Sequence, residues 1–342
     1  LKNKMIFNKL NKPYIIAEIG INHEGNLATA KELIVEAKKA GADAVKFQVF
    51  QPSTLAVPEA KKTNLQKKNT GKENLSNIWK RVCLNYQSLK KLRSLAFKIK
   101  IDFICTAFDF ESLKLVKKLK LDAIKIASSD ITDIPLLFEI TKIKKPIILS
   151  TGMSNSKEIT RALKIINKKN VVILHCVSLY PCKYNKANLR RITSLQNKFN
   201  KYSIGYSDHC KNVAASIFAL NMGAKVIEKH FTLNKNKTGL DHSLSADPID
   251  LKVICDYAKS LNELPGLMKI DPSKYEKKFK KSFRKGIYVN KGLLKNQIIK
   301  KENLIIRRPE NFTKPEIYFK LIGKRTKKNL NTNDSINQKK IY

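Results

Sequence analysis

The chain has 342 residues, 42% of them hydrophobic, which is enough for one barrel-sized domain plus a small extra one. No stretch approaches the roughly 18 to 20 apolar residues of a membrane span, and the N-terminal segment has neither a long apolar core nor a small-residue cleavage site, so neither a membrane partner nor secretion is expected. The formal net charge is +40, but only nine of the 68 basic residues are arginine and the lysines spread over every helix; this predicts a solvated surface that attracts anionic substrates and no nucleic-acid groove.

Eight apolar, strand-like runs follow one another along the chain, at 14–20, 44–50, 101–108, 123–128, 147–151, 171–177, 202–209 and 225–231. Helical periodicity fills the intervals. It is clearest over 27–40, where Leu27, Ala30, Ile34 and Ala37 share a face and Gly41 supplies the stop, and over 212–222, closed by Gly223. Near-continuously apolar strands alternating with helices imply a parallel sheet buried on both faces. The eightfold repeat, with no G-x-G-x-x-G turn after the first strand, predicts a closed (β/α)8 TIM barrel over 1–265. The long connection 51–85, with Pro52, Pro58 and Trp79, reads as a lid or a partly disordered loop beside the barrel mouth. A polar linker is predicted over 266–282, and short runs with turn residues predict a small separate domain over 283–342. Cys83, Cys105, Cys176, Cys182, Cys210 and Cys255 form no Cys-x-x-Cys pair; free thiols, mostly buried, in a reducing cytoplasm are expected.

The C-terminal ends of the predicted strands, where such barrels carry their chemistry, are polar. They hold Glu18, Asn22, His23 and Glu24; Lys46 and Gln48; Thr106; Lys125, Ser128, Ser129 and Asp130; Ser150 and Thr151; His175, Ser178 and Tyr180; Ser207, Asp208 and His209; Glu228 and His230. A charge inside a barrel strand has packed neighbours on both faces, so Glu18, Lys46, Lys125 and Glu228 all need partners. Two inward lysines with Ser128 and Ser150 as donors suit a phosphorylated anion; internal Lys–Glu ion pairs are the alternative. His209 and His230 end adjacent strands, about 4.8 Å apart, and can share one divalent ion such as Mn2+ or Mg2+. A hydrogen-bonded polar pair is the other reading, and spacing alone leaves His23 and His175 open as ligands.

Eight strings, in order and at these positions, carry a resemblance to the sialic acid synthase family, the N-acetylneuraminate synthases and their legionaminate and pseudaminate relatives. They are AEIGINHEGN at 17–26, KFQ at 46–48, KIASSD at 125–130, PIILSTGM at 146–153, LHCVSLYP at 174–181, GYSDH at 205–209, EKHFT at 228–232 and GLDHSLS at 239–245. RRPE at 307–310 and LIGKR at 321–325 are similar to the family's antifreeze-like, or SAF, domain. The resemblance implies a condensation of phosphoenolpyruvate with an open-chain N-acetylmannosamine-type sugar, with release of phosphate. It implies His209 and His230 as ligands of Mn2+ or Mg2+. Lys46, Thr106, Lys125, Ser128, Ser150 and Ser207 would hold phosphoenolpyruvate, Glu18 would move the proton, and Glu228 would stand near the metal. Gln48, Tyr180 and Asp241 would contact the sugar. Arg308 would reach the N-acetyl group from the neighbouring subunit of a domain-swapped homodimer.

The chain departs from the family at Ser178, where some sialic acid synthases have asparagine, and at RRPENF, which lacks the glycines of the commoner R-P-G-x-G. N-acetylmannosamine is the first-choice sugar, 2,4-diacetamido-2,4,6-trideoxymannose the second and the 6-phosphate sugar the third. Competing readings are another phosphoenolpyruvate-dependent 3-deoxy-ulosonate synthase, which needs no such tail, an aldolase with a Schiff base on Lys125, and a basic nucleic-acid or glycan-binding barrel, in which the polar strand ends would be lost.

Overall fold

The computed structural model describes every residue except 1–6, 8, 9, 56, 58, 63–66, 68, 69 and 267. Its parallel strands are β1 (Tyr14–Gly20), β2 (Ala44–Val49), β3 (Asp102–Ala107), β4 (Ala123–Ile126), β5 (Ile147–Ser150), β6 (Val171–Cys176), β7 (Ser203–Asp208) and β8 (Val226–His230). They close in sequence order into a barrel, β8 pairing back onto β1. Around it run α1 (Leu27–Ala40), α2 (Leu75–Val82), α3 (Tyr86–Lys98), α4 (Phe110–Lys118), α5 (Ile134–Thr141), α6 (Ser156–Ile166), α7 (Arg191–Lys198), α8 (Ala214–Asn221) and α9 (Pro248–Ser260). Helix α1 begins where the Asn26 side chain accepts the N–H groups of Ala28 and Thr29, and it stops at Gly41, whose φ of 98° suits glycine. The helix expected over 212–222 starts later, at Ala214, because Asn212 takes a φ of 60°.

Strand alternation divides the barrel between two cores. One parity, including Ile15, Val45, Phe47, Phe103 and Ile124, packs under helix residues such as Leu33, Leu92 and Leu113. The other parity faces the lumen, and its character changes along each strand. Toward the N-terminal ends it is apolar: Tyr14, Ile16, Ala44, Ile104, Ala123, Ile148, Val172, Leu174 and Val226 pack around Phe7. Two or four residues further on, the same parity presents Glu18, Lys46, Gln48, Thr106, Lys125, Ser150, Cys176, Ser207, Glu228 and His230. The lumen is thus a packed apolar base beneath a polar mouth. Phe7 closes the base, its N–H donating to Asn170 Oδ1 at 3.0 Å and its carbonyl accepting from Ser203 Oγ at 2.9 Å.

The connection 51–85 is more ordered than expected where it is described. A helical turn at Pro52–Leu55 and helix α2, capped by Asn74, belong to it. Ile78 and Val82 join Ile21, Phe50 and Leu240 in a satellite core, and Trp79 meets Phe50 edge-on with 5.4 Å between ring centroids. The expectation of a partly disordered loop fails there because these side chains bury one another; Pro58 lies outside the described residues. No helix among the described residues is long and apolar enough to cross a membrane.

The chain divides into two compact units, Leu1–Pro265 and Gly266–Tyr342. In the second, β9 (Gly286–Val289) pairs antiparallel with β10 (Leu304–Arg307), and Ile287, Val289, Leu293, Leu304, Leu330 and Ile336 form its core. The stretch read as a polar linker contains helix α10 (Lys274–Phe283), closed at its start by a reciprocal Ser273–Glu276 capping box. Helix rises about 1.5 Å per residue, so this stretch reaches far less than an extended linker would.

Replacing the barrel's lower plug is expected to separate stability from activity. Phe7→Ala should cost about 3–5 kcal/mol in chemical denaturation, the usual loss for a buried phenylalanine. Turnover per folded molecule should stay unchanged, because the polar residues occupy the other end of the strands.

Candidate active site

Register assembles the mouth. Glu18 pairs across the sheet with Lys46 on one side and with His230 on the other, while Ser207 pairs with Glu228 and Thr106 with Lys125. The result is a buried chain of alternating charge. Lys46 Nζ lies 2.5 Å from Glu18 Oε2 and 3.7 Å from Glu228 Oε2, and Lys125 Nζ lies 3.5 Å from Glu228 Oε1. Gln48 donates to Glu18 Oε1 at 3.0 Å, Ser207 donates to Glu228 Oε1 at 2.9 Å, and Lys46 donates to Thr106 Oγ1 at 3.3 Å. The two carboxyl groups diverge. Burial, helped by the charge of Glu228, holds Glu18 above the ordinary carboxylate range in spite of Lys46. Burial would also raise Glu228, but Lys125, Lys46 and the Ser207 hydroxyl bring it below that range. Glu18 is therefore the member suited to carry a proton and Glu228 the lasting anion. Burial lowers Lys125, against the pull of Glu228, whereas Lys46 is raised, Glu18 and Glu228 outweighing its own burial. Both lysines are thus engaged in the internal ion pairs that stood as the alternative to anion binding.

Next to Lys125 a second group collects hydroxyls. Gly152 N–H donates to Ser128 Oγ at 2.9 Å. A Cβ on Gly152 would stand 2.4 Å from Ser178 Oγ and 2.8 Å from Ser128 Oγ, so only glycine lets these side chains approach. Ser150 Oγ and Ser178 Oγ are buried without a hydrogen-bond partner, as is Asp130 Oδ2, and burial pushes the Asp130 carboxyl up to about 6. Orphan hydroxyls beside a buried lysine are the donors a phosphate or carboxylate group requires.

The third group is the histidine pair. The rings of His209 and His230 lie 5.4 Å apart, and Tyr180 stacks on His209 at 4.2 Å. His209 Nδ1 donates to the Val177 carbonyl at 2.9 Å, so in the neutral ring the lone pair belongs to Nε2. His230 Nδ1 is buried without a hydrogen-bond partner, 3.6 Å from Asp241 Oδ2. Burial, with His209 beside it, holds His230 well below the ordinary histidine range, hence neutral. A tautomer fixed by a backbone carbonyl and a neutral imidazole with an unsatisfied nitrogen fit ligation of a divalent ion. His23 and His175 do not share this place. Gly25 N–H donates to His23 Nδ1 at 3.0 Å, and burial pulls His23 down to about 4. His175 has the outward parity, donates from Nε2 to the Ala187 carbonyl at 2.8 Å and stacks on Tyr206. Arg308 belongs to the second unit, where its guanidinium lies 5.2 Å from the Phe283 ring centroid.

The family model described as NeuB family matches residues 33–269, most of the barrel. The chain belongs to the NeuB family. It is 38% identical to an N,N'-diacetyllegionaminic acid synthase from Campylobacter jejuni over 96% of this chain and 100% of that protein. It is 32% identical to a pseudaminic acid synthase from the same species, with 97% of each chain covered. A solved N-acetylneuraminic acid (sialic acid) synthetase from Leptospira borgpetersenii, in complex with citrate, superposes with a TM-score of 0.68 at 33% identity, covering 81% of this chain and 93% of that one.

Within this NeuB barrel three contacts at or behind the mouth go beyond what the sequence shows. Cys176 is inward, its sulfur 3.8 Å from His209 Nδ1; the run VVILHCV, apolar on both faces apart from His175, hides its parity. Gly152 is visible only as part of a motif, because the clash it avoids involves residues from other strands. Asp208 and Lys229 form a fully buried ion pair behind the histidines; charges of outward parity in buried strands were the available signal.

Gly152→Ala should displace Ser128 and Ser178 without unfolding the barrel. One lost hydrogen bond to a charged group is worth about 1.5–3 kcal/mol, so affinity for phosphoenolpyruvate should fall roughly tenfold to a hundredfold. Calorimetric titration beside a melting curve checks it; a large fall in melting temperature with unchanged affinity would contradict it.

Proposed function

We propose that this NeuB-family protein condenses phosphoenolpyruvate with an N-acetylated mannosamine-type sugar, forming a nonulosonic acid and releasing phosphate. The observation that carries the reading is the polar mouth itself: two buried lysines, two carboxyl groups with opposed proton affinities and two histidines, all converging on one end of the lumen. The similarity to N,N'-diacetyllegionaminic acid synthases of Campylobacter jejuni, 38% identical, and Legionella pneumophila, 34% identical, leads us to place 2,4-diacetamido-2,4,6-trideoxymannose ahead of N-acetylmannosamine as the acceptor of this chain. This reverses the order that the motifs alone suggest.

In this reading Lys46, Lys125 and the hydroxyls of Ser128, Ser150 and Ser178 bind the phosphate and carboxylate of phosphoenolpyruvate, while Thr106 holds Lys46 and Ser207 holds Glu228 in place. Electrons of the enol double bond form a new bond from C3 to the sugar aldehyde carbon, leaving an oxocarbenium ion at C2. Water adds at C2, and the C–O bond to phosphate breaks. Glu18, held above the ordinary carboxylate range, moves the proton between the sugar oxygen and the attacking water. Glu228 stays ionised and offsets the positive charge at C2. Gln48, Tyr180 and Asp241 orient the sugar. His209 and His230 would hold a divalent ion, whose contribution when bound is Lewis-acid polarisation of the aldehyde oxygen.

The test is phosphate release from phosphoenolpyruvate with three sugars: the diacetamido sugar, N-acetylmannosamine and its 6-phosphate. Release with the first two and a larger kcat/KM for the diacetamido sugar are expected; no release with any acceptor overturns the proposal. Glu18→Gln should lower kcat roughly 100- to 10,000-fold while leaving the melting temperature near that of the wild type. Chelation should abolish turnover, and full activity in excess chelator would remove the metal from the scheme.

A further inference from the structure

Resting on the reading that His209 and His230 share a divalent ion, we infer that Asp208 and Lys229 are positioning residues that aim His209 from behind the barrel wall. Each immediately precedes one of the histidines. Alternation therefore turns both away from the lumen, and register sets them opposite one another on β7 and β8. Their side chains are wholly buried, with 3.2 Å between Lys229 Nζ and Asp208 Oδ2.

The contacts they make converge on the turn that carries His209. Asp208 Oδ1 accepts the Cys210 N–H at 2.8 Å, and Asp208 Oδ2 accepts the Ser216 hydroxyl of α8 at 2.7 Å. Lys229 Nζ donates to the Cys210 carbonyl. The carbonyl of His209 itself accepts the N–H of Cys182 at 2.9 Å. The peptide joining His209 to Cys210 is thus held at its oxygen and at its nitrogen, and the next carbonyl is held by the lysine. With that backbone fixed, the Cα–Cβ bond of His209 has one direction, and the ring reaches the Val177 carbonyl with Nδ1.

Stability alone is a poor account of the pair. Other outward positions on these strands, such as Ile204 and Ile227, are apolar, and a buried ion pair is commonly replaceable by apolar residues without loss of stability. The chain places its one wholly buried ion pair, among the described residues, directly behind the histidines.

The decisive variant is the double substitution Asp208→Asn with Lys229→Met, which strands no buried charge but leaves the Cys210 carbonyl without its donor. Mn2+ affinity is measured on the full chain by electron paramagnetic resonance of the free ion, and phosphoenolpyruvate affinity by calorimetry. Nitrogen-15 spectra of the imidazoles, taken on metal-free protein, report the His209 tautomer. Mn2+ affinity should fall at least about tenfold, the scale seen when outer partners of a metal site are lost. Phosphoenolpyruvate affinity should hold, and the His209 resonances should shift toward a mixture of tautomers. A folded double variant with wild-type Mn2+ affinity and imidazole spectrum, whatever its melting temperature, would overturn the inference and leave the pair a purely structural feature. If the double variant does not fold, Ser216→Ala removes only the helix hydroxyl from Asp208. A smaller displacement of the same His209 resonances is then expected, and an unchanged spectrum overturns the inference. Wild-type protein that binds no Mn2+ would defeat the metal reading alone, since the metal-free imidazole spectra still decide whether Asp208 and Lys229 orient the ring.

Discussion

Four charges buried together at the mouth of the barrel, Glu18, Lys46, Glu228 and Lys125, constrain everything around them. None of them is tolerable there alone. Lys46 touches both carboxyl groups, but Glu228 also has Lys125 and the Ser207 hydroxyl, so burial keeps Glu18 above the ordinary carboxylate range while Glu228 falls below it. The inequality depends on distances that belong to different strands, so the closed ladder has to keep β1, β2, β4 and β8 in register. Gly20 shows the cost of that demand. It follows a local register shift in β1 with a φ of 54°, and a Cβ there would stand 3.0 Å from Glu18 Oε1.

Most of this was legible in the chain. The eight strands emerge within one or two residues of the apolar runs, since β-branched and aliphatic residues buried on both faces leave few other options. The charged strand residues were legible for the same reason, because in a two-faced buried strand every charge is an exception. Less legible was the pairing among these charges: the chain shows that Lys46 and Lys125 need partners, but not that Lys46 sits between Glu18 and Glu228 and Lys125 beside Glu228. The histidines show a different limit. His175 and His209 both lie in or after apolar strands, and only their parity separates a residue bonded to a backbone carbonyl in the outer layer from one that reaches the lumen. In the run 171–177, apolar on both sides of His175, there is no alternation from which parity can be read. Gly152 and the Asp208–Lys229 pair were hidden for a third reason: their contacts join strands that are distant or merely adjacent in the fold, which no local pattern records.

Residues 51–85, read as a lid or a partly disordered loop, and 266–282, read as a polar linker, both hold more local order than their polar composition suggests. Short helices form in them, capped by Asn74 and by Ser273 with Glu276. Polar composition reports what the solvent-facing side requires, while a capping side chain and a few apolar residues such as Ile78 and Val82 suffice to decide local order.

The gradient along the lumen has a consequence for proton traffic. Among the described residues, Phe7, Ile16, Ile104, Ile148 and Val172 make the lower half of the barrel an apolar floor. In the proposed reaction Glu18 would then exchange its proton with bulk water from above, past the substrates. With both substrates in the mouth, a proton taken up by Glu18 would be confined with them, and its next acceptor would be a reacting oxygen. The hydrocarbon floor would thus act as an insulator that ties each proton to one turnover.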